Sequence, residues 1–353
     1  EVEPRTAIND TNTPGDADSL FKITQPGSYY LTDNITGVAG KHGVEIAASG
    51  VTLHLNGLDL LGVPGSLDGV SVTELSLKNI AVVNGSVRSW DGDGVDLRSY
   101  GAANWRAADL LAGGNTGDGI KVGSVCTVLS CSAYQNTGNG ITTGNGCTVS
   151  NCLAYQNTAI GIRTNTGCTL SNCSAYVNTG SGISIDDGST VSHCSAVFNT
   201  GNGISTLEGG CTVSICSAYS NIGNGISVNS NCTVADCTAR GNTLDGIRCS
   251  PGCLIRNNVC SFNGTGGDGA GIHATGADNR IEDNNCTSAD RGIDVDLAGN
   301  IIVRNTCSGN LTNWDVVAGN VCLVVQGVTG AAILGNTGGV APGSTDPNAN
   351  FTY

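Results

Sequence analysis

Near the C-terminal end of this 353-residue chain, Arg248, His273, Asp294 and Asp296 carry the side-chain types that move protons. Arg248 and His273 are 25 residues apart, His273 and Asp294 are 21 apart, and Asp315 follows after another 21. If one structural period spans these gaps, the guanidinium, the imidazole and the carboxylates stack on neighbouring rungs. There they could do acid–base work on a glycosidic or uronate substrate. The competing reading is a charge-balanced ladder on a solvated face. Asp91, Asp93 and Asp96 in WDGDGVDLR form a second cluster. Carboxylates in a glycine-rich turn could bind calcium, the one cofactor the sequence brings into view, or could simply be an acidic copy of a turn. Tyr134, Tyr155, Tyr176 and Tyr219 are a third candidate, a substrate-binding platform with apolar faces and polar tips. Packing from coil to coil is the alternative reading of that column. Thr127, Thr148, Thr169, Thr190, Thr212 and Thr233, with Ser150, Ser171, Ser192 and Ser214 two places on, make a Thr-x-Ser array that could order ice or bind a glycan.

The elements that must hold these residues follow from a repeat. Residues 115–136 read NTGDGIKVGSVCTVLSCSAYQN and 136–157 read NTGNGITTGNGCTVSNCLAYQN, and copies continue at Asn157, Asn178, Asn199, Asn221 and Asn242. A Gly before Ile or Val recurs from Gly43 to Gly292, and Trp314 takes the Ile place in a thirteenth copy. Each copy holds three short alternating runs, so each predicts three strands with one buried face. Such units form coils of a β-solenoid, with equivalent residues stacked. The Asn column then reads as a structural amide ladder. The Gly column supplies positive φ or close approach.

Two cysteine columns follow the same period. One is Cys126, Cys147, Cys168, Cys211, Cys232 and Cys253, and the other is Cys131, Cys152, Cys173, Cys194, Cys216 and Cys237. Ser189 replaces one member. Earlier coils place Val51, Leu75 with Ile80, and Trp105 with Leu110 in these positions. Places that accept such residues are apolar, so buried stacked thiols are the expectation, with some disulfides as the alternative. Cys-x4-Cys without His is not zinc spacing. Seventeen is odd, so at least one thiol stays unpaired in a monomer.

These repeats resemble those of right-handed parallel β-helix proteins of the pectate-lyase-like superfamily. The likeness covers about residues 40–320. The resemblance implies an all-β, right-handed parallel β-helix of about 13 coils, capped at both ends. FKITQPGSYYL at 21–31 resembles the lead-in strands of that superfamily. The expected organisation is a lead-in and cap over 1–40, the helix over 41–320 and a cap or tail over 321–353, as a single domain. In such enzymes the groove commonly follows the sheet that carries the Ile column. Asp186-Asp187 resembles the paired aspartates of polygalacturonase-like enzymes, but the GHG and RIK elements are missing, as is the DPHE element of alginate epimerases.

Composition narrows the function. Charged residues are only 12%, Gly numbers 53, and the net charge is −14. That excludes a helical bundle, and phosphate backbones would repel the chain, so nucleic acid is not an expected partner. No run of 18 apolar residues occurs, so no membrane span is expected. The lack of Met points to a processed product whose leader is gone, and the low charge to a secreted or cell-surface protein. The turns from 115 to 250 stay short, whereas enzymes of this kind build grooves from long loops. The leading reading is therefore an extracellular β-helix with a structural or carbohydrate-binding role, open to end-to-end self-association. The rival is a polysaccharide lyase or glycoside hydrolase using Arg248, His273, Asp294 and Asp296, and ice binding is a weaker third. Any site should lie near a longer coil, such as the 25 residues at 248–272.

Overall fold

The computed structural model describes residues 5–98, 104–264, 267–326 and 346–352. They fall into two compact units, 1–189 and 190–353, each built from parallel β-coils. Among the described residues there is no helix. The repeat 136–157 shows how a coil is made. Its strands are Ile141–Thr143, Thr148–Ser150 and Leu153–Tyr155. Ile141, Val149 and Ala154 point inward and are fully buried. Burying an aliphatic side chain of this kind contributes about 1.5–3 kcal/mol, and Thr142, Thr148 and Ser150 stay at the surface while Thr143 is buried.

Each strand ends in a corner of one design. A residue in the left-handed region (Gly146 at φ 65°, Asn151 at 55°, Gln156 at 55°) is followed by a buried one, Cys147, Cys152 or Asn157. At the Cys147 and Asn157 corners that buried residue accepts the backbone N–H of its counterpart on the preceding coil. Asn136 N–H reaches Asn157 Oδ1 at 3.1 Å, and Cys126 N–H reaches Cys147 Sγ at 3.3 Å. The corner would otherwise bury an unpaired donor. In the Asn ladder, Asn136 Nδ2 also donates to Asn157 Oδ1 at 2.9 Å and to Ala112 O at 3.2 Å.

The Cys places are therefore not purely apolar. Ser189 Oγ accepts Cys168 N–H at 3.0 Å, and farther along Asn279 and Asn258 continue the two columns by accepting from Cys253 and Cys237. All 17 cysteines are free thiols, and all but Cys322 are buried. A third run, Cys260, Cys286 and Cys307, lies in register in the strands Val259–Ser261, Asn285–Thr287 and Thr306–Ser308. One earlier assignment shifts. Ile80 lines up with Trp105 and Val51 in the first column, while Leu75 is 71% exposed. The irregular early coils break the 21-residue count there.

The Gly column works by close approach. A Cβ on Gly140 would lie 2.6 Å from Gly161 O and 2.7 Å from Asn157 Nδ2, and Gly140 is not among the positive-φ glycines.

The Ile-column sheet positions the candidate residues. In the first unit it runs through Ser19–Ile23, His42–Ile46, Val70–Ser71, Val95–Leu97, Ile120–Val122, Ile141–Thr143, Ile162–Thr164 and Ile183–Ile185. In the second it runs through Ile204–Thr206, Ile226–Val228, Ile247–Cys249, Ala270–Ala274, Arg291–Val295 and Thr312–Val316. These are the thirteen expected rungs plus Ser19–Ile23, which the lead-in supplies by pairing with His42–Ile46. Of the closing segment expected at 321–353, residues 327–345 and 353 lie outside the described residues. Asn350–Thr352 pairs with Val324–Gln326.

Candidate functional site

In the second unit, Arg248, His273, Asp294 and Asp315 stand on four successive rungs in register. Their contacts differ from what the register alone implies. His273 Nδ1 lies 3.1 Å from Asp245 Oδ2, and its Nε2 lies 3.1 Å from Asp296 Oδ2 and 3.8 Å from Asp294 Oδ2. Asp245 is buried and its other oxygen accepts Ala270 N–H at 2.9 Å, so the carboxylate that orients the imidazole is itself fixed. Arg248 is exposed and forms no ion pair with these carboxylates. The guanidinium of the site is that of Arg291. It bonds Asp268, lies 3.4 Å from Asp294 Oδ2 and reaches Asp315 Oδ2 at 3.0 Å.

Asp245 and Arg291 were missed in the sequence. Asp245 occupies the turn place held by Asn139, Asn202 and Asn224 in other copies, and it reads there as an ordinary turn residue. Its distinguishing signal is a spacing. Asp93 meets Lys121, 28 residues on, at 3.3 Å, and Asp245 meets His273 across the same interval. Both pairs straddle a coil of 25 residues, which sets the turn carboxylate beneath the outward residue of the next rung. The longer coil expected to mark a site does border this one. Gly267 N–H from that coil donates to Asp290 Oδ2 at 2.9 Å, and Asp268 pairs with Arg291.

The electrostatics follow from the geometry. Burial alone would push His273 down. The hydrogen bond to Asp245 and the charges of Asp245, Asp294 and Asp296 outweigh it and raise the imidazole to about 9. Burial raises the Asp294 carboxyl above the usual range, against the pull of His273 and Arg291. The site thus presents a cationic imidazole between one buried carboxyl group, Asp294, and one exposed one, Asp296. Ligand atoms of His273, Asp294 and Asp296 all lie within 4.8 Å of one another.

The other candidates are arranged differently. Asp91, Asp93 and Asp96 do not converge on a cation position. Asp91 Oδ2 accepts Gly65 N–H at 2.5 Å, Asp93 Oδ1 accepts Asp118 N–H at 2.6 Å, and Asp96 clamps Arg98 at 2.9 and 2.7 Å. With Lys121 also beside Asp93, the positive charge a calcium ion would supply is already present. Asp16, Asp18 and Glu45 approach one another too, but Lys22 bridges Asp16 and Glu45 at 2.8 and 2.9 Å. Tyr134 and Tyr155 stack at 5.3 Å with an interplanar angle of 11°, turning their faces to each other. Tyr176 and Tyr219 are more exposed, and Phe198 meets Tyr219 edge-on at 5.6 Å. The Thr and Ser columns are in register within each unit. In the first unit an open groove of about 570 Å³ is lined by Asp96, Arg98, Lys121, Thr142 and Arg163, on the same sheet.

No helix among the described residues is long and apolar enough to cross a membrane. No curated protein matches the sequence. Among solved structures, the periplasmic alginate epimerase AlgG is similar at a TM-score of 0.54 and 12% identity, over 84% of this chain and 80% of that one. The DFA-IIIase from Arthrobacter chlorophenolicus A6, without its lid, is similar at a TM-score of 0.50 and 12% identity, over 72% of this chain and 83% of that one. At such identities the likeness is one of fold. The family model described as "Right handed beta helix region" matches residues 68–217 and 158–308. With most of the sequence matched and parallel coils in both units, the chain belongs to the right-handed parallel β-helix family.

Proposed function

We propose that this β-helix acts on a glycan at the His273 centre, as a glycoside hydrolase for uncharged polysaccharide. The observation that carries the reading is the buried Asp245 holding one face of His273 while Asp294 and Asp296 meet its other nitrogen on the outer face of the sheet. Two carboxyl groups in contrasting environments are what glycosidic cleavage requires. The buried one serves as proton donor and the exposed one as base or nucleophile. Here Asp294 is the donor and Asp296 its partner, with His273 holding the pair's charge. The ligand oxygens of Asp294 and Asp296 lie within 4.8 Å. That is shorter than the roughly 6.5–9.5 Å that admits an inverting water, so retention is the favoured outcome.

Charge argues against a uronate substrate. Abstracting a proton beside a uronate carboxylate needs that carboxylate neutralised, and the two inner cations, His273 and Arg291, already face Asp245, Asp268, Asp294, Asp296 and Asp315, which leaves only the exposed Arg248 for the substrate. Both structural neighbours bear the names of carbohydrate-acting enzymes, which supports a glycan substrate without naming it. Such a substrate would place the protein outside the cytoplasm or at the cell surface.

The test is a panel of neutral and uronate polysaccharides, followed by new reducing ends and by absorbance of unsaturated products. Reducing ends from a neutral glycan, lost by at least 100-fold in Asp294→Asn and in Asp296→Asn, are expected. Unsaturated products from a uronate would overturn hydrolysis in favour of a lyase. Silence across the panel from folded protein would return the chain to a structural or binding role.

A further inference from the structure

The proposed hydrolytic site leaves the cysteines unused. Fifteen of the 17 fall into five runs of three on successive coils within a unit, and only Cys249 and Cys322 stand apart. In the run Cys126, Cys147, Cys168, the Cys147 sulfur accepts Cys126 N–H at 3.3 Å and donates to Gly123 O at 3.2 Å, and Cys286 stands in register between Cys260 and Cys307. Several corner sulfurs face a backbone donor: Cys126 N–H meets Cys147 Sγ, Cys147 N–H meets Cys168 Sγ and Cys211 N–H meets Cys232 Sγ, all at 3.3 Å.

Two lengths coincide here. Neighbouring parallel strands lie about 4.8 Å apart. Two metal–thiolate bonds of about 2.3 Å placed end to end span about 4.6 Å. A linear S–metal–S bridge therefore fits between successive coils without parting the strands. A tetrahedral ion does not, because a column offers two sulfurs per gap and no imidazole.

We propose that the cysteine columns bind soft monovalent cations of the copper(I) class, each ion held linearly between thiolates of successive coils. Soft thiolate ligands select such ions over hard ones. Each isolated bridge forms as M⁺ + 2 RSH → [RS–M–SR]⁻ + 2 H⁺, with no electron transferred. When the middle sulfur is shared, three thiolates hold two ions and keep one net negative charge. The backbone N–H groups that face the sulfurs stabilise that charge.

The reduced full-length chain would be incubated anaerobically with silver(I), and separately with chelator-buffered copper(I), then gel-filtered. Retained metal is read by elemental analysis and by thiolate-to-metal charge-transfer absorbance, and the fold by circular dichroism. Wild type is expected to retain either ion with its β signal intact, and not to retain zinc(II). Cys147→Ser is expected to hold two ions fewer, and Cys322→Ser the full complement. The serine should fold, because Ser189 already fills the same place beside Cys168. Should it fail, Cys216→Asn replaces it, since Asn258 occupies that column next to Cys237. No retained ion in the folded wild type, an undiminished load in the variants, or uptake only with loss of the β signal would each overturn the proposal.

Discussion

Replacing Asp245 by Asn removes the charge that holds His273 while keeping the side chain's shape. In the folded chain His273 is raised from the ordinary 6.5 to about 9, although burial opposes this. At 1.36 kcal/mol per pH unit, that interval corresponds to about 3 kcal/mol of preference for the imidazolium in the folded state. The sign is that of a base whose folded value is raised. The stabilisation is complete below about 6.5, where the unfolded imidazole is also protonated, and it is lost as pH rises through about 9. Wild type should therefore lose up to about 3 kcal/mol of this contribution between pH 6 and 10. Among the upward causes, the hydrogen bond to Asp245 and its charge come first. Asp245→Asn should lower the His273 value by more than one pH unit and flatten the pH dependence. The assay is an NMR titration of the four histidines, with His273 assigned by His273→Gln, alongside urea unfolding at several pH values. A wild-type His273 that titrates near 6.5, or one unmoved by Asp245→Asn, would refute the reasoning.

Two further outcomes test the scaffold. Asn157→Ala leaves Asn136 N–H without its acceptor and empties a ladder place that also donates to Asn178 Oδ1 and Ala133 O. Unsatisfied buried groups of this kind cost about 1–3 kcal/mol each, so urea unfolding should register a loss of at least about 2 kcal/mol. Gly140→Ala pushes a methyl against Gly161 O and Asn157 Nδ2. Overpacking costs about 1–3 kcal/mol, whereas a turn glycine with open space, such as Gly167, should accept Ala at less cost than Gly140 despite its φ of 68°.

Much of this molecule was legible as a sequence because a solenoid converts period into place. Residues 21 apart become neighbours, so the Ile, Asn and Thr columns, the rung at Trp314 and the register of Arg248, His273, Asp294 and Asp315 could all be written down from spacing. The same count failed where coils depart from the period, as at Leu75 and Ile80. It also could not reveal what a corner asks of its residue. Cys, Ser and Asn interchange there because each presents an acceptor to one backbone N–H, a role that hydrophobicity does not report.

The site itself belongs to the tertiary structure. Register places side chains on rungs, but contacts depend on how far each reaches and on which loop lies beneath it. A 25-residue coil carries Asp245 under His273, and Arg291, two residues before the Ile place, swings across to Asp294 and Asp315 while Arg248 stays in solvent. Periodicity determined the neighbours along the stack. The lateral meeting of turn and strand, where burial and charge are decided, existed only once the coils were closed.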